Sequence, residues 1–237
     1  MFRVIIRGWN CEKYLGKCLR SLIKQSCPDW KATVILDAPE DGSVKLAKAY
    51  SKKEPRISVF VNKTRVGVAA NILTGITKAG PDDEDIVIIY DSDDELTHDA
   101  LETVLHYYNK DSKLLLTYGS YLRTDKHRRT KTSKAYKHGR PVRKQRWHAS
   151  HLKSFKYKLF KHYKSGWLKD DNGNWFQGAS DVALMLPLIE MAGFDRTKHI
   201  HKIIYKWNYT KHKTRGHVQK RNKDMIYKRK PVERVEV

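Results

Sequence analysis

Asp85-Ile86-Val87-Ile88-Ile89-Tyr90-Asp91-Ser92-Asp93-Asp94-Glu95, residues 85–95, is the stretch that decides the fold. Four branched aliphatic residues stand in a row. The run is too short for a buried helix and has no polar side, so it reads as a strand covered on both faces. Carboxylates follow it at once.

Outward from this strand, helical and extended patterns alternate. Phe2 to Ile6, Ala32 to Leu36, Ile57 to Val61 and Leu114 to Tyr118 are further strand-like runs. Between them, Cys11 to Gln25 carries Tyr14, Leu15, Cys18, Leu19, Leu22 and Ile23 at helical spacing. Val44 to Ser51, Val68 to Lys78 and Leu96 to Tyr108 also read as helices. Turn residues Asp37 to Gly42 end the second strand. Strict alternation over about 118 residues predicts an α/β fold with a mostly parallel sheet and helices on both faces.

The second half is less regular. Arg123 to Arg146 reads as an extended basic loop or hairpin. His151 to Tyr163 reads as a helix, with Leu152, Phe155, Leu159 and Phe160 on one side. Val182 to Ala192 is an amphipathic helix with Ser180 as its N-cap. Ile200 to Tyr209 contains the apolar run Ile203-Ile204-Tyr205. Lys211 to Val237 is basic, weakly apolar and expected to be partly disordered.

The length of 237 residues suits one α/β domain, and 40% hydrophobic content excludes a disordered chain. No run reaches the 18 or so apolar residues of a membrane span, and Met1 to Ile6 is too short for a signal peptide. Cys11, Cys18 and Cys27 suggest neither a disulfide framework nor a zinc site, which points to a reducing, cytoplasmic setting, a host cytoplasm if the source is viral.

The net charge of +22 is unevenly placed. Residues 1–120 hold 17 basic and 17 acidic side chains, whereas residues 121–237 hold 31 and 9. Arg123 to Lys164 alone has 16 basic residues and one acidic. Such a half is built to meet a polyanion, either nucleic acid or an anionic membrane surface.

Asp91 and Asp93 sit where a buried strand ends, at the edge where parallel sheets bind ligands. Two carboxylates one residue apart suit a hard divalent ion that grips a diphosphate. Acidic residues are also favoured in the first turn of a helix, so the pattern alone leaves both uses open.

Five elements in order carry a resemblance. Val4-Ile5-Ile6-Arg7-Gly8-Trp9-Asn10 with Leu15, Leu19, Ser21, Leu22 and Gln25 is similar to the opening of the family 2 glycosyltransferases of the GT-A fold. Arg7-Gly8-Trp9 departs from that family's Pro-Thr-Tyr. Val34 to Asp37 with Asp41-Gly42-Ser43, then Asn62 to Gly67, resemble its second strand and donor-site stretch. Asp91-Ser92-Asp93-Asp94 matches its metal motif. Trp147 to Phe155, Asp181 to Gly193 and Ile204 to Tyr209 resemble, more loosely, the acceptor half of one branch.

The resemblance implies a GT-A (Rossmann-like) sheet plus a basic, partly helical acceptor region. Residues 1–120 would be the nucleotide-sugar-binding half, 121–210 the acceptor-binding half with the base, and 211–237 a basic tail. It implies inverting transfer from a nucleoside-diphosphate sugar, with UDP favoured. Asp181 would be the general base. Asn10, Asp37, Arg65 and Asp91 would bind the donor. Asp93, with Asp91 and a late histidine such as His212 or His217, would hold Mn²⁺ or Mg²⁺. Arg128, Arg129, Arg143, Lys144, Arg146, Trp147, His151 and Trp175 are candidate acceptor contacts. The charge makes DNA carrying hydroxymethylated pyrimidines, as in phage DNA glycosyltransferases, the first acceptor expectation. A surface glycan assembled at an anionic membrane is the second. A non-catalytic nucleic-acid-binding protein is the third.

Overall fold

The computed structural model describes residues 1–124, 130–208 and 216–237. The first half follows the expected alternation: β1 (Phe2–Gly8), α1 (Glu12–Ile23), β2 (Trp30–Leu36), α2 (Ser43–Lys53), β3 (Ile57–Val61), α3 (Val68–Ala79) and β4 (Ile86–Asp91). Next come β5 (Glu95–Leu96), α4 (Ala100–Lys110), β6 (Leu116–Gly119), β7 (Tyr121–Arg123), β8 (Thr130–Lys131), β9 (Ser150–Lys156) and α5 (Tyr157–Phe160). The chain ends with α6 (Ser180–Ala192), β10 (Thr197–His199), β11 (Tyr205–Trp207) and α7 (Gly216–Lys228).

Seven strands form the main sheet in the order β10-β6-β9-β4-β1-β2-β3. All neighbours are parallel except β9, which runs antiparallel to both β4 and β6. A smaller sheet, β5-β11-β7-β8, stands beside it. Successive strand residues serve opposite cores. Val4 and Ile6 pack with Leu15, Leu19 and Leu22 of α1, while Ile5 packs with Ile72 and Ile76 of α3.

Helix α6 is apolar nearly all round, as a helix inside a protein must be, with Val182 to Ile189 all buried. Pro187 stands in its middle and cannot donate to the carbonyl of Ala183. The Tyr163 hydroxyl donates to that carbonyl instead, at 2.9 Å. Among the described residues no helix is long and apolar enough to cross a membrane, and all three cysteines are buried and free.

Four readings, three of them in the second half, need correction. Residues 150–156 form strand β9, not a helix, and only Tyr157–Phe160 is helical. Leu152 enters one core and Phe155 the other, while the Ser154 hydroxyl meets Thr117 and Tyr108 between them. The gap between β4 and β6 supplies the hydrogen-bond partners, which overrides a helical spacing of apolar residues. Leu96 belongs to β5, and the helix after it begins only at Ala100. Ser180 is the first residue of α6 rather than its cap: Ala179 takes that place with φ +60°. The tail expected to be partly disordered contains α7, which buries Asn222 and Ile226, and the end of the chain packs Val232 and Val235 on the core.

Candidate active site

β1, β2 and β4 are parallel, so their carboxyl ends reach one edge of the sheet. Arg7, Asp37 and Asp91 stand there. β9 runs the other way and brings Ser150 and His151 to the same edge. Two cavities open on it.

The first, about 290 Å³, is lined by Arg7, Trp9, Asn10, Asp37, Arg65 and Asp91 to Asp93, among others. Gly8 makes room for it, because a Cβ there would come 2.6 Å from the Cys11 Sγ and 2.9 Å from the Ser92 Oγ. The Arg65 guanidinium lies 3.5 Å from the centre of the Trp9 ring, and that ring is 42% exposed. Asn10, at φ +45°, accepts from the Glu40 N–H at 2.8 Å. Asn10, Asp37, Arg65, Asp91 and Asp93 are thus brought together.

Asp37 is buried and accepts from the Asn62 side chain at 2.8 Å, the Val66 N–H at 3.0 Å and the Gly67 N–H at 2.8 Å. Burial alone would raise its pKa, but these hydrogen bonds outweigh it and hold the carboxyl below the usual range. The pattern fixes the loop that carries Arg65.

Asp91 is paired with Arg7, directly across β1 and β4. Burial opposes its charge, yet Arg7 first, then His151 and Lys153, keep its pKa low. Arg7, the first residue of the departing Arg7-Gly8-Trp9, thus commits one oxygen of Asp91. Asp94 turns inward instead. It accepts from the Tyr205 hydroxyl and, at 2.8 Å, from the Asn208 N–H, which ties the acidic turn to β11. Burial, then the charges of Asp91 and Asp93, pushes its pKa up to about 8.

The second cavity, about 610 Å³, holds Asp181 at the start of α6. Lys134, Arg146, Trp147, His148, His151 and Lys223 are among its walls. A third hollow, lined by Trp9, Arg65, Gln177, Ala179 and Gln219 among others, shares residues with both. A continuous trough therefore joins the acidic turn to Asp181. The His151 ring stacks on Tyr205 at 4.5 Å between centroids.

Other expected contacts lie elsewhere. Arg143 is turned inward: it donates to both oxygens of Glu190 at 2.6 and 2.9 Å and to the Ile226 carbonyl at 2.6 Å. Its charge is spent holding α7 on α6, so it leaves the acceptor set. Trp175 lies under Lys169, 4.5 Å from the ring centre, and does not line the cavity of Asp181. Lys144 and Arg146 are exposed. His217 is exposed at the first turn of α7. Arg128, Arg129 and His212 lie outside the described residues. Among the described residues no group of three histidines, cysteines or carboxylates is arranged to hold a metal by itself.

Sequence reasoning missed Arg7, Lys153, Gln177, Gln219 and Lys223. Arg7 had a signal, as a charge in an apolar strand. Gln219 and Lys223 had none, because only the packing of α7 brings them to the cavity.

Residues 3–170 match the model of Glycosyl transferase family 2. The chondroitin synthase of Escherichia coli is 24% identical over 204 residues, which are 85% of this chain and 28% of that protein. Staphylococcus aureus TarS 1-349, solved with UDP-GlcNAc, superposes with a TM-score of 0.67 at 19% identity, covering 90% of this chain and 59% of that one. The mannosyltransferase PcManGT of Pyrobaculum calidifontis, solved with GDP-Man and Mn²⁺, gives 0.64 at 16% identity, covering 90% and 58%. The fold is that of the GT-A glycosyltransferases. The chain spans less than half the length of the curated relatives it matches.

Proposed function

The chain belongs to glycosyl transferase family 2, and from that premise we propose that it is an inverting transferase acting on a nucleoside-diphosphate sugar, with a polyanionic acceptor. The observation that carries this is the trough between Asp91-Ser92-Asp93 and Asp181, lined by Asp37, Asp91 and Asp93 with Arg7 and Arg65 at one end and ringed by cations at the other.

The donor would lie in the cavity of Trp9, Asp37 and Arg65, its diphosphate toward Asp93. UDP is favoured, in keeping with the UDP-GlcNAc bound by TarS. A divalent ion, Mn²⁺ or Mg²⁺, fits the residues present. Asp93 and the oxygen of Asp91 that Arg7 leaves free are hard ligands, and such ions commonly take one or two carboxylates plus substrate phosphates. His212 is the candidate for a further ligand. The ion, when bound, neutralises the leaving diphosphate.

Asp181 would take the proton of the acceptor hydroxyl. As the acceptor oxygen bonds to the anomeric carbon, the bond from that carbon to the diphosphate breaks, and the nucleoside diphosphate leaves with its electrons. Attack from the side opposite the leaving group inverts the configuration.

For the acceptor we favour DNA carrying hydroxymethylated pyrimidines. Lys134, Arg146 and Lys223 suit phosphates, and Trp147, Trp207 and Tyr121 offer faces for an extruded base. The names of the relatives support a second reading, an anionic surface glycan built at a membrane. The test is transfer from UDP-GlcNAc or GDP-mannose with Mn²⁺ to hydroxymethylcytosine DNA, unmodified DNA and chondroitin oligosaccharides. Transfer to the hydroxymethylated duplex alone is expected. Transfer to the oligosaccharide alone would replace DNA by glycan. Full transfer by Asp181→Asn would remove the base, and unchanged metal dependence in Asp93→Ala would remove the metal assignment. Absence of turnover with every donor, together with salt-sensitive DNA binding, would favour a non-catalytic binder.

A further inference from the structure

Lys153 is a lysine in the middle of a sheet, only 4% exposed. Burying an ammonium is costly, and a position that tolerates one usually has a use for the charge. β9 pairs Lys153 with Ile89 of β4, two residues before Asp91. Side chains two apart in a strand share a face. Ile5, Ile89 and Phe155 mark that face, because all three belong to the core that α6 covers. Arg7, Asp91 and Lys153 therefore stand on one face of three adjacent strands, the face whose core takes in Val182 of α6, the residue after Asp181.

Arg7 is committed to Asp91. The Lys153 Nζ lies 3.4 Å from His151 Nδ1, a contact that supplies no counter-charge. Asp181 is the foremost of the charges that favour its protonated form, followed by Asp91, although burial outweighs both. Asp181 shares its cavity with Lys223 of α7, Arg146 and Lys134. Lys134 and Arg146 are exposed, and Lys223 partly so. These cations reach solvent, whereas Lys153 is enclosed in the sheet.

We propose that Lys153 is a positioning residue for the transfer: its buried ammonium holds the Asp181 carboxylate toward the sheet, over the donor site, and away from the solvent-facing cations of the cavity rim. The proposal rests on the reading of Asp181 as the base. Without Lys153, Asp181 would swing toward Arg146 and Lys223, and the acceptor hydroxyl would lose its proton acceptor. Donor binding at Asp37, Arg65 and Asp93 would be untouched.

The test uses the full chain and hydrolysis of UDP-GlcNAc with Mn²⁺, water taking the place of the acceptor. Lys153→Met should lower kcat about 10- to 100-fold, the scale of a misplaced catalytic group, with the Kd for UDP within about twofold of the parent. Lys153→Arg should recover most of the loss, since a cation returns to the same face. Thermal melts of both variants separate a folding defect from a kinetic one. If the Met variant does not fold, the Arg variant carries the test: its kcat should lie within about tenfold of the parent. Asp181→Asn is assayed alongside. If it is inactive while Lys153→Met keeps the parent kcat, the positioning role falls and the base stands. If Asp181→Asn is fully active, the base reading falls and takes this proposal with it. A loss of UDP affinity in Lys153→Met as large as the loss in kcat would make Lys153 a donor contact and overturn the proposal.

Discussion

Arg7 and Asp91 face each other in register across β1 and β4 and form an ion pair at the edge where the donor cavity opens. Arg7 is 10% exposed and Asp91 33%, so solvent screens the pair in part. Arg7→Met would strand a half-buried carboxylate. It should cost about 1–3 kcal/mol in stability and weaken UDP binding, read by chemical denaturation and calorimetric titration. An Asp91→Asn/Arg7→Met double variant should be less destabilised than the sum of the singles, because the two act on one interaction.

The Tyr163 hydroxyl fills the place of the backbone donor that Pro187 lacks. Tyr163→Phe leaves the Ala183 carbonyl without that partner inside the protein. A loss of about 1–3 kcal/mol is expected. For a chain of this size each kcal/mol corresponds to roughly 2–4 °C in Tm. Restoring the helical donor with Pro187→Ala in the Tyr163→Phe background should return part of the loss.

Arg143 and Arg146 are three residues apart and should behave oppositely. The Arg143–Glu190 pair is buried on both sides. Arg143→Ala should therefore destabilise the protein by about 3–5 kcal/mol. Arg146→Ala and Lys144→Ala should leave the melt unchanged and reduce polyanion binding. Each should lower the slope of log K against log salt by about one. Binding to a DNA duplex across a salt series measures this, and an unchanged slope in Arg146→Ala would remove that residue from the acceptor surface.

His199 is buried beside Tyr118 and His201, and both ring nitrogens lack a partner among the described residues. Burial first, then the nearby His201 and His148, lowers its pKa from 6.5 to about 4. The folded state thus refuses a proton that the unfolded chain accepts, so stability falls as pH drops from about 6.5 to about 4. The full effect is at most about 3 kcal/mol. His199→Phe should flatten the pH dependence of Tm in that window and leave Tm near pH 8 equal or higher. A parallel fall in both proteins would show that other groups govern the acid limb.

The first half of the fold was legible because its signals are local. Runs such as Ile86 to Ile89 can only be strands covered on both sides, and each strand ends in its own turn chemistry. The acidic turn, Asp37 and Asp181 were visible for the same reason: each sits at the end of an element whose pattern is complete within a few residues. The placement of the excess charge was equally plain.

Tertiary structure alone decided the rest. Residues 150–156 carry apolar side chains at helical spacing, yet they become a strand because β4 and β6 leave a gap whose backbone groups must be paired. Arg143 reads as one more cation in a basic run, and only the docking of α6 against α7 turns it inward onto Glu190. Lys153 looks like a surface lysine until its strand is set between β4 and β6. A side chain's charge is written in the sequence. Whether that charge meets solvent, a carboxylate or a reacting group depends on partners distant in the chain, because electrostatic and packing energies follow distance in space.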